Sequence, residues 1–362
     1  MGVPLFDTSS ALEPLRAELR GAIDAVLDSE RYILGPEVSA FEAEFATYCG
    51  AAHAVGVANG TEAITIALRA MGVGPGDEVV VPSFTFWASA EAIPATGARP
   101  VFCDIDPDTY CVTAETVRAA LTPRTKAVIA VHLFGNVAPV AEIEALGVPV
   151  LEDAAQAAGS RARELRPGAL GTAATFSFFP SKNLGCFGDG GIVTTRDADV
   201  AERVRTLRFH GSHDKVSYEQ VGYNSRLDEL QAAILRVQLP HLDGWADGRR
   251  RAGRHYEEAG LGELVELPRA VEGCSPAWHL YVVSHPEVER LEGALAAAHI
   301  GFKGYYRTPV HRQPPMREWA AGVELPATDI AAARHLAIPI SPVLSREQAD
   351  EVLAAVRGAQ LA

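Results

Sequence analysis

Apolar residues recur at helical spacing in "PLRAELRGAIDAVLDSE" and "VSAFEAEFATYCG", which predicts two amphipathic helices early in the chain. "AHAVGV" then reads as a short strand, and "ANGTEAITIALRAMG" as a loop entering a helix. The apolar runs in "GPGDEVVVPS", "RPVFCDID", "TKAVIAVHLFG" and "VPVLEDAAQ" predict four more strands with helices between them. "ATFSFF" and "GGIVTTR" follow as a strand pair around a loop. Strands alternating with helices predict an α/β fold, a large and mostly parallel sheet covered on both faces. The pattern changes after about residue 240. "LDGWADGRRRAGRHYEEAG" reads as a charged connecting helix, and "AWHLYVVSH" as a strand. The helices "EVERLEGALAAAHIG" and "REQADEVLAAVRG" complete a smaller α+β unit. The expected division is therefore a large α/β domain over 1–240 and a small α+β domain over 241–362.

Composition narrows the function classes. A chain of 362 residues, 48% hydrophobic, has enough material for a large core. Its formal net charge of −14 argues against a protein that coats nucleic acid or lies on a membrane. No apolar run of about 18 residues predicts a spanning helix. The first twenty residues lack a basic segment followed by an apolar one, and Ser9 does not fall at the myristoylation spacing. Cys49, Cys103, Cys111, Cys186 and Cys274 are odd in number and scattered, which reads as reduced thiols in a cytoplasmic protein.

The loop "FSFFPSKNLGCFGDGG" holds one lysine, Lys182, between an aromatic strand and a cluster of glycines. Neither a GxGxxG after an early strand nor a GxxxxGK[ST] is present, so nicotinamide and P-loop sites lack support. His210 and His213 in "HGSH" have no neighbouring ligands and read as a solvated loop, so no metal site is expected. The remaining features fit pyridoxal phosphate, which needs a lysine for its Schiff base, an acid at the pyridinium nitrogen and a phosphate anchor. Gly60 and Thr61 begin a helix, where free N–H groups attract an anion, although Thr61 also reads as an ordinary N-cap. Glu152 and Asp153 end a buried strand, where an acid either faces the ligand crevice or caps the next helix. Lys182 follows another strand by a few residues and reaches the same crevice, and Gly185, Gly188, Gly190 and Gly191 would let the backbone pass close to a bound ring. Phe84, Phe86 and Trp87 read as stacking partners for that ring or as core.

The chain resembles the DegT/DnrJ/EryC1/StrS family of sugar aminotransferases, whose fold is the aspartate-aminotransferase-like fold type I. The resemblance is carried by "NGTEAITIAL", "GDEVVVPSFTF", "LEDAAQAAGS", "TFSFFPSKNLGCFGDGGIVTT", "VGYNSRLDELQAAIL" and "GYYRTPVHRQPP", in that order. It implies pyridoxal 5′-phosphate as cofactor, with Lys182 as the Schiff-base lysine and Asp153 as the partner of the pyridine nitrogen. It also implies Gln156 at the ring hydroxyl and Phe86 stacked on the ring. Gly60, Thr61 and Ser177 would bind phosphate, joined by Asn224 from the neighbouring subunit of a homodimer. Tyr305, Tyr306, Arg307 and His311 would face the substrate. Arg307 stands where the family often has proline; it reads equally as a contact to the sugar-nucleotide diphosphate or as an exposed residue. Arg161, Arg163 and Arg166 add local positive charge and read as a solvated loop.

The implied reaction moves an amino group from L-glutamate to a keto-sugar nucleotide. Asp189 in "GDGG" and the preceding "NLG" resemble members that aminate C3 of a 3-keto-6-deoxy sugar, with C4 the alternative. The lysine would also shuttle a proton, which requires a desolvated, cation-rich site to lower its pKa. Two rivals are a dehydratase of the same family, in which histidine is expected in place of Lys182, and a non-catalytic regulator, in which this set of residues is expected to decay.

Overall fold

The computed structural model describes residues 2–359. Met1, where the N-terminal segment starts, and positions 360–362 at the end of the expected small domain lie outside the described residues. Among the described residues eleven strands form in chain order: β1 (His53–Val57), β2 (Glu78–Pro82), β3 (Arg99–Cys103), β4 (Thr125–Val131), β5 (Val150–Asp153), β6 (Arg161–Ala162), β7 (Ala173–Ser177), β8 (Gly191–Thr195), β9 (Cys274–Ser275), β10 (Tyr281–Ser284) and β11 (His335–Ile338). Seven of them build one sheet in the order β1-β8-β7-β5-β4-β2-β3. The pairs from β3 through β7 are parallel, and β8 runs antiparallel to both β7 and β1. The sheet is mostly parallel, as the apolar runs predict.

Both sheet faces are covered, and the pleat decides which side chain goes where. On one face Val193, Ile129 and Val81 meet Ile64 and Leu68 of the helix Gly60–Ala70. On the other, Ala174, Phe176 and Ile192 pack with Phe41 and Phe45 of the helix Pro36–Cys49. Phe45 meets Phe176 edge-on at 4.9 Å between ring centroids, a geometry worth about 0.5–1.5 kcal/mol beyond burial. Helix Leu242–Glu258 follows, and β10 pairs antiparallel with β11. Tyr256, Leu291, Leu336, Val352 and Leu353 form a second core there, which Val3 from the start of the chain joins, while Leu280, Val282 and Val310 pack into the core of the large sheet.

The antiparallel β7–β8 pair brackets the glycine loop at the carboxyl edge of the sheet. That loop does not use its glycines as expected. A Cβ on Gly185 would meet the Pro180 carbonyl oxygen at 2.6 Å, and one on Gly191 the Asn59 carbonyl oxygen at 2.4 Å. The glycines let the loop close on itself and on the start of the Gly60–Ala70 helix; none of them lines the cavity described next.

Candidate active site

A cavity of about 640 Å³ opens where parallel strands β5 and β7 end. β5 ends on Asp153, which is buried, and Gln156 follows in the next turn. β7 ends on Ser177, five residues before Lys182, and both side chains reach the same cavity. Gly60, Thr61, Phe86, Tyr305 and Tyr306 complete its wall together with His279.

Each polar group here has a traceable position. Asp153 Oδ2 accepts from Ser89 Oγ at 2.7 Å, and Oδ1 from the Ala155 N–H at 3.2 Å. Gln156 Oε1 accepts from the Phe134 N–H at 2.9 Å, which orients the amide so that Nε2 donates to the Tyr306 hydroxyl at 3.3 Å. Burial pushes the Tyr306 phenol up, so it stays protonated. Burial pushes the Lys182 amine down to about 8, while the Asp153 carboxylate pulls it up. Desolvation, and not the cation-rich surroundings expected from the sequence, therefore lowers this lysine.

The helix Gly60–Ala70 is capped by Asn59, whose side chain accepts from the Glu62 N–H at 2.9 Å. Thr61 is therefore not the cap. The N–H groups of Gly60 and Thr61 bond to no protein acceptor among the described residues and lie at the cavity wall. A Cβ on Gly60 would lie 2.7 Å from Ser177 Cβ, so glycine is what allows this helix start to approach β7. Phe86 is 52% exposed, its ring 6.1 Å from that of Tyr306, whereas Phe84 belongs to the core.

Other expected residues lie elsewhere. Arg307 is turned away from the cavity to Glu292, with Nη1 on the Ala332 and Ala333 carbonyls. An ion pair inside the small α+β unit thus accounts for its position, not a ligand. His311 is buried against Ser83, whose hydroxyl it meets through both Nδ1 and its backbone N–H, and does not line the cavity. Asn224 is exposed beside Phe209 and is also absent from the wall. Arg166 is no solvated loop charge: it forks onto Asp243 at 2.7 and 2.8 Å and lies over the Tyr48 ring, with Arg161 on the same carboxylate. His213 sits between Glu202 and Glu219.

The sequence reading missed His279. Its signal was weak, since "AWHLYVVSH" reads as a core strand and only the packing brings this ring beside Lys182. Glu62 was missed as well; it lines the cavity and its Oε2 has no partner.

Comparison with known proteins supplies the lineage. The model of the DegT/DnrJ/EryC1/StrS aminotransferase family matches residues 14–357. The chain is 47% identical to dTDP-3-amino-3,4,6-trideoxy-alpha-D-glucose transaminase of Streptomyces venezuelae, over 98% of this chain and 95% of that protein. It is 44% identical to UDP-N-acetyl-3-dehydro-alpha-D-glucosamine 3-aminotransferase of Acidithiobacillus ferrooxidans, over 98% and 97%. A protein named pleiotropic regulatory protein, from Geobacillus stearothermophilus, is also 44% identical over 98% and 97%. Among solved structures, S. venezuelae DesV in complex with a ketimine intermediate superposes with a TM-score of 0.96 at 46% identity, covering 100% of this chain and 99% of that one. The chain belongs to the DegT/DnrJ/EryC1/StrS aminotransferase family and has the fold of its pyridoxal-phosphate-dependent enzymes.

Proposed function

We propose that this chain binds pyridoxal 5′-phosphate and transfers the amino group of L-glutamate to a keto-sugar nucleotide, at C3 of a 3-keto-6-deoxy sugar. The observation that carries the reading is the convergence of Lys182, Asp153, Gln156, Ser177 and the free N–H groups of Gly60 and Thr61 on one cavity. This donor set suits the cofactor. Two unpartnered N–H groups at the start of an 11-residue helix, with the Ser177 hydroxyl opposite, match a phosphate. A buried carboxylate, a depressed amine and the exposed Phe86 ring match the rest of the molecule.

When bound, the cofactor supplies an electron sink for the carbon that loses its proton. Lys182, lowered to about 8, has a useful fraction of free amine near neutrality and can take a proton at Nζ and return it. Asp153, held by Ser89 and the Ala155 N–H, keeps its carboxylate fixed beneath the site and can hold a proton-bearing ring nitrogen. Gln156, its amide oriented by Phe134, has a second Nε2 proton for a ligand oxygen. Tyr305 and Tyr306 form part of the wall.

C3 regiochemistry is supported by the names of the 3-amino and 3-dehydro relatives, together with the "KNLGCFGDGG" loop. The regulatory name of one relative has no counterpart in this site, which keeps a full set of acid, amine and phosphate-binding groups. The test is to incubate the enzyme, glutamate and matched 3-keto and 4-keto dTDP- and UDP-sugars, then locate the new nitrogen by NMR. Amination at C3 is expected; efficient amination at C4 with none at C3 would overturn the regiochemistry alone.

The same reading includes an obligate homodimer in which Asn224 reaches the partner's phosphate, a domain boundary near 240/241 and a cytoplasmic location. An exposed Asn224 outside its own cavity supports the first; a core built mainly from residues after 250, which Val3 joins, supports the second. Five unpaired cysteines support the third; alkylation of freshly isolated, denatured protein should label all five, and a disulfide would count against it. Among the described residues no helix is long and apolar enough to cross a membrane.

A further inference from the structure

Behind Lys182 lies a second cavity of about 210 Å³, sharing Phe6, Ser181 and Lys182 with the first. Its wall includes Arg249, on the helix Leu242–Glu258 and only 8% exposed. Nη1 of Arg249 donates to the Trp278 and Ile340 carbonyls at 3.3 Å each. No carboxylate pairs with this guanidinium among the described residues, and its Nε–Nη2 edge donates to no protein acceptor. Arg208 is buried to the same degree but rests on Glu42. A cation taken out of water is costly unless something compensates it. Burial alone lowers Arg249 to about 10, a sign of how little the protein offsets its charge.

The carbonyl that holds Nη1 belongs to Trp278, so Arg249 is anchored next to His279. His279 is 4% exposed, lines the first cavity, and its Nδ1 has no hydrogen-bond partner. Burial, with Lys182 and Arg249 nearby, holds its imidazole well below the usual range and therefore neutral. Among the described residues the one acid lining the second cavity is Asp7, whose Oδ1 is occupied by the Ser9 and Ser10 N–H groups.

From this geometry we infer that the small cavity takes a carboxylate of the amino donor, forked by Arg249, while His279 faces the rest of the donor from the first cavity beside Lys182. A guanidinium edge with two parallel N–H groups matches a carboxylate bidentately. The diphosphate of a nucleotide sugar has the same charge sign. It does not suit the space, however, since about 210 Å³ is below the roughly 300–1,000 Å³ range of drug-sized pockets. The assignment rests on the aminotransferase reading above and adds to it where the donor is recognised.

The holoenzyme carries the test as two half-reactions and a titration. In the first, the pyridoxal form meets L-glutamate in single-turnover absorbance experiments; in the second, the pyridoxamine form meets a 3-keto dTDP-sugar. Arg249→Gln is expected to lower the efficiency of the glutamate half-reaction about 100-fold, mostly through weaker saturation, and the sugar half-reaction less than about fivefold. His279→Gln should weaken glutamate saturation about tenfold. Calorimetric titration with glutarate, a non-reacting dicarboxylate, should show at least tenfold weaker binding in Arg249→Gln and in Arg249→Lys. The lysine variant decides the matter if the glutamine variant does not fold. Equal slowing of both half-reactions, or unchanged glutarate affinity, would overturn the inference. A wild-type enzyme that turned over neither substrate would instead sink the aminotransferase reading.

Discussion

Glu152 and Asp153 are neighbours on β5, yet the pleat sends them into regions of opposite character. Glu152 enters a closed interior where every oxygen is used. It meets His132 Nε2 at 2.9 Å and accepts from the N–H groups of Gly168, Leu170 and Gly171 at 2.9–3.1 Å. Asp153 faces the cavity, with one hydroxyl and one N–H as partners and a half-buried amine in its field. The same contrast separates Arg166, forked onto Asp243, from Arg249, which has no acid. Fully satisfied charges hold the fold together, while charges the protein leaves incompletely satisfied mark where a ligand belongs.

Exchanging the two acids should separate these regions most widely. Asp153→Asn is expected to keep the fold and lose about 10²–10³ in turnover, since a neutral amide cannot hold a ring N–H⁺. Glu152→Ala leaves His132 and three N–H groups without their acceptor and should cost about 3 kcal/mol or more, seen as a lowered denaturation midpoint. The remaining folded molecules should turn over near the wild-type rate. No helix follows β5, so Asp153 is not the helix cap that the sequence also allowed; near-wild-type turnover in Asp153→Asn would leave its carboxylate with no part in the reaction beyond holding the Ala155 turn.

Subunit mixing gives a smaller effect. Inactive Lys182→Ala chains mixed with an inactive Asn224 variant should regain about a quarter of the wild-type sites, because half the random dimers rebuild one of their two. Mixed dimers with no activity would place Asn224 in its own chain. The smallest effect is a pH midpoint. Only free amine reacts with an acylating reagent, so Lys182 in the cofactor-free protein should label faster as pH rises through about 8. Asp153 raises that amine, so Asp153→Asn should move the midpoint lower. A midpoint near the ordinary lysine value would mean that burial does not act on Lys182.

The large sheet was legible because its strands are continuous apolar runs; β1 to β5, β7 and β8 follow from "AHAVGV", "DEVVVP" and their like. β11 escaped because prolines directly follow it in "HLAIPISP", which reads as a loop until β10 pairs with it. Helix Ala198–Arg208 escaped for its polarity, though Val200, Val204 and Leu207 stand at helical spacing. In the site, Lys182 and Asp153 were legible because strand ends at one sheet edge must converge. Arg307 and His311 follow the two tyrosines in sequence, but Glu292 and Ser83 decide where they point. No local pattern could reveal Arg249 and His279, since the absence of an acid beside the one and of a partner for Nδ1 of the other arises only in the folded molecule.

The central claim is that Lys182 holds the cofactor, and borohydride reduction tests it most directly. Protein purified with pyridoxal phosphate should be yellow, lose that colour on reduction, and yield on mass spectrometry a single phosphopyridoxyl adduct on Lys182. Lys182→Ala should give no adduct and lose turnover by about 10³ or more. An adduct on another lysine, or none in the wild-type protein, would contradict the account.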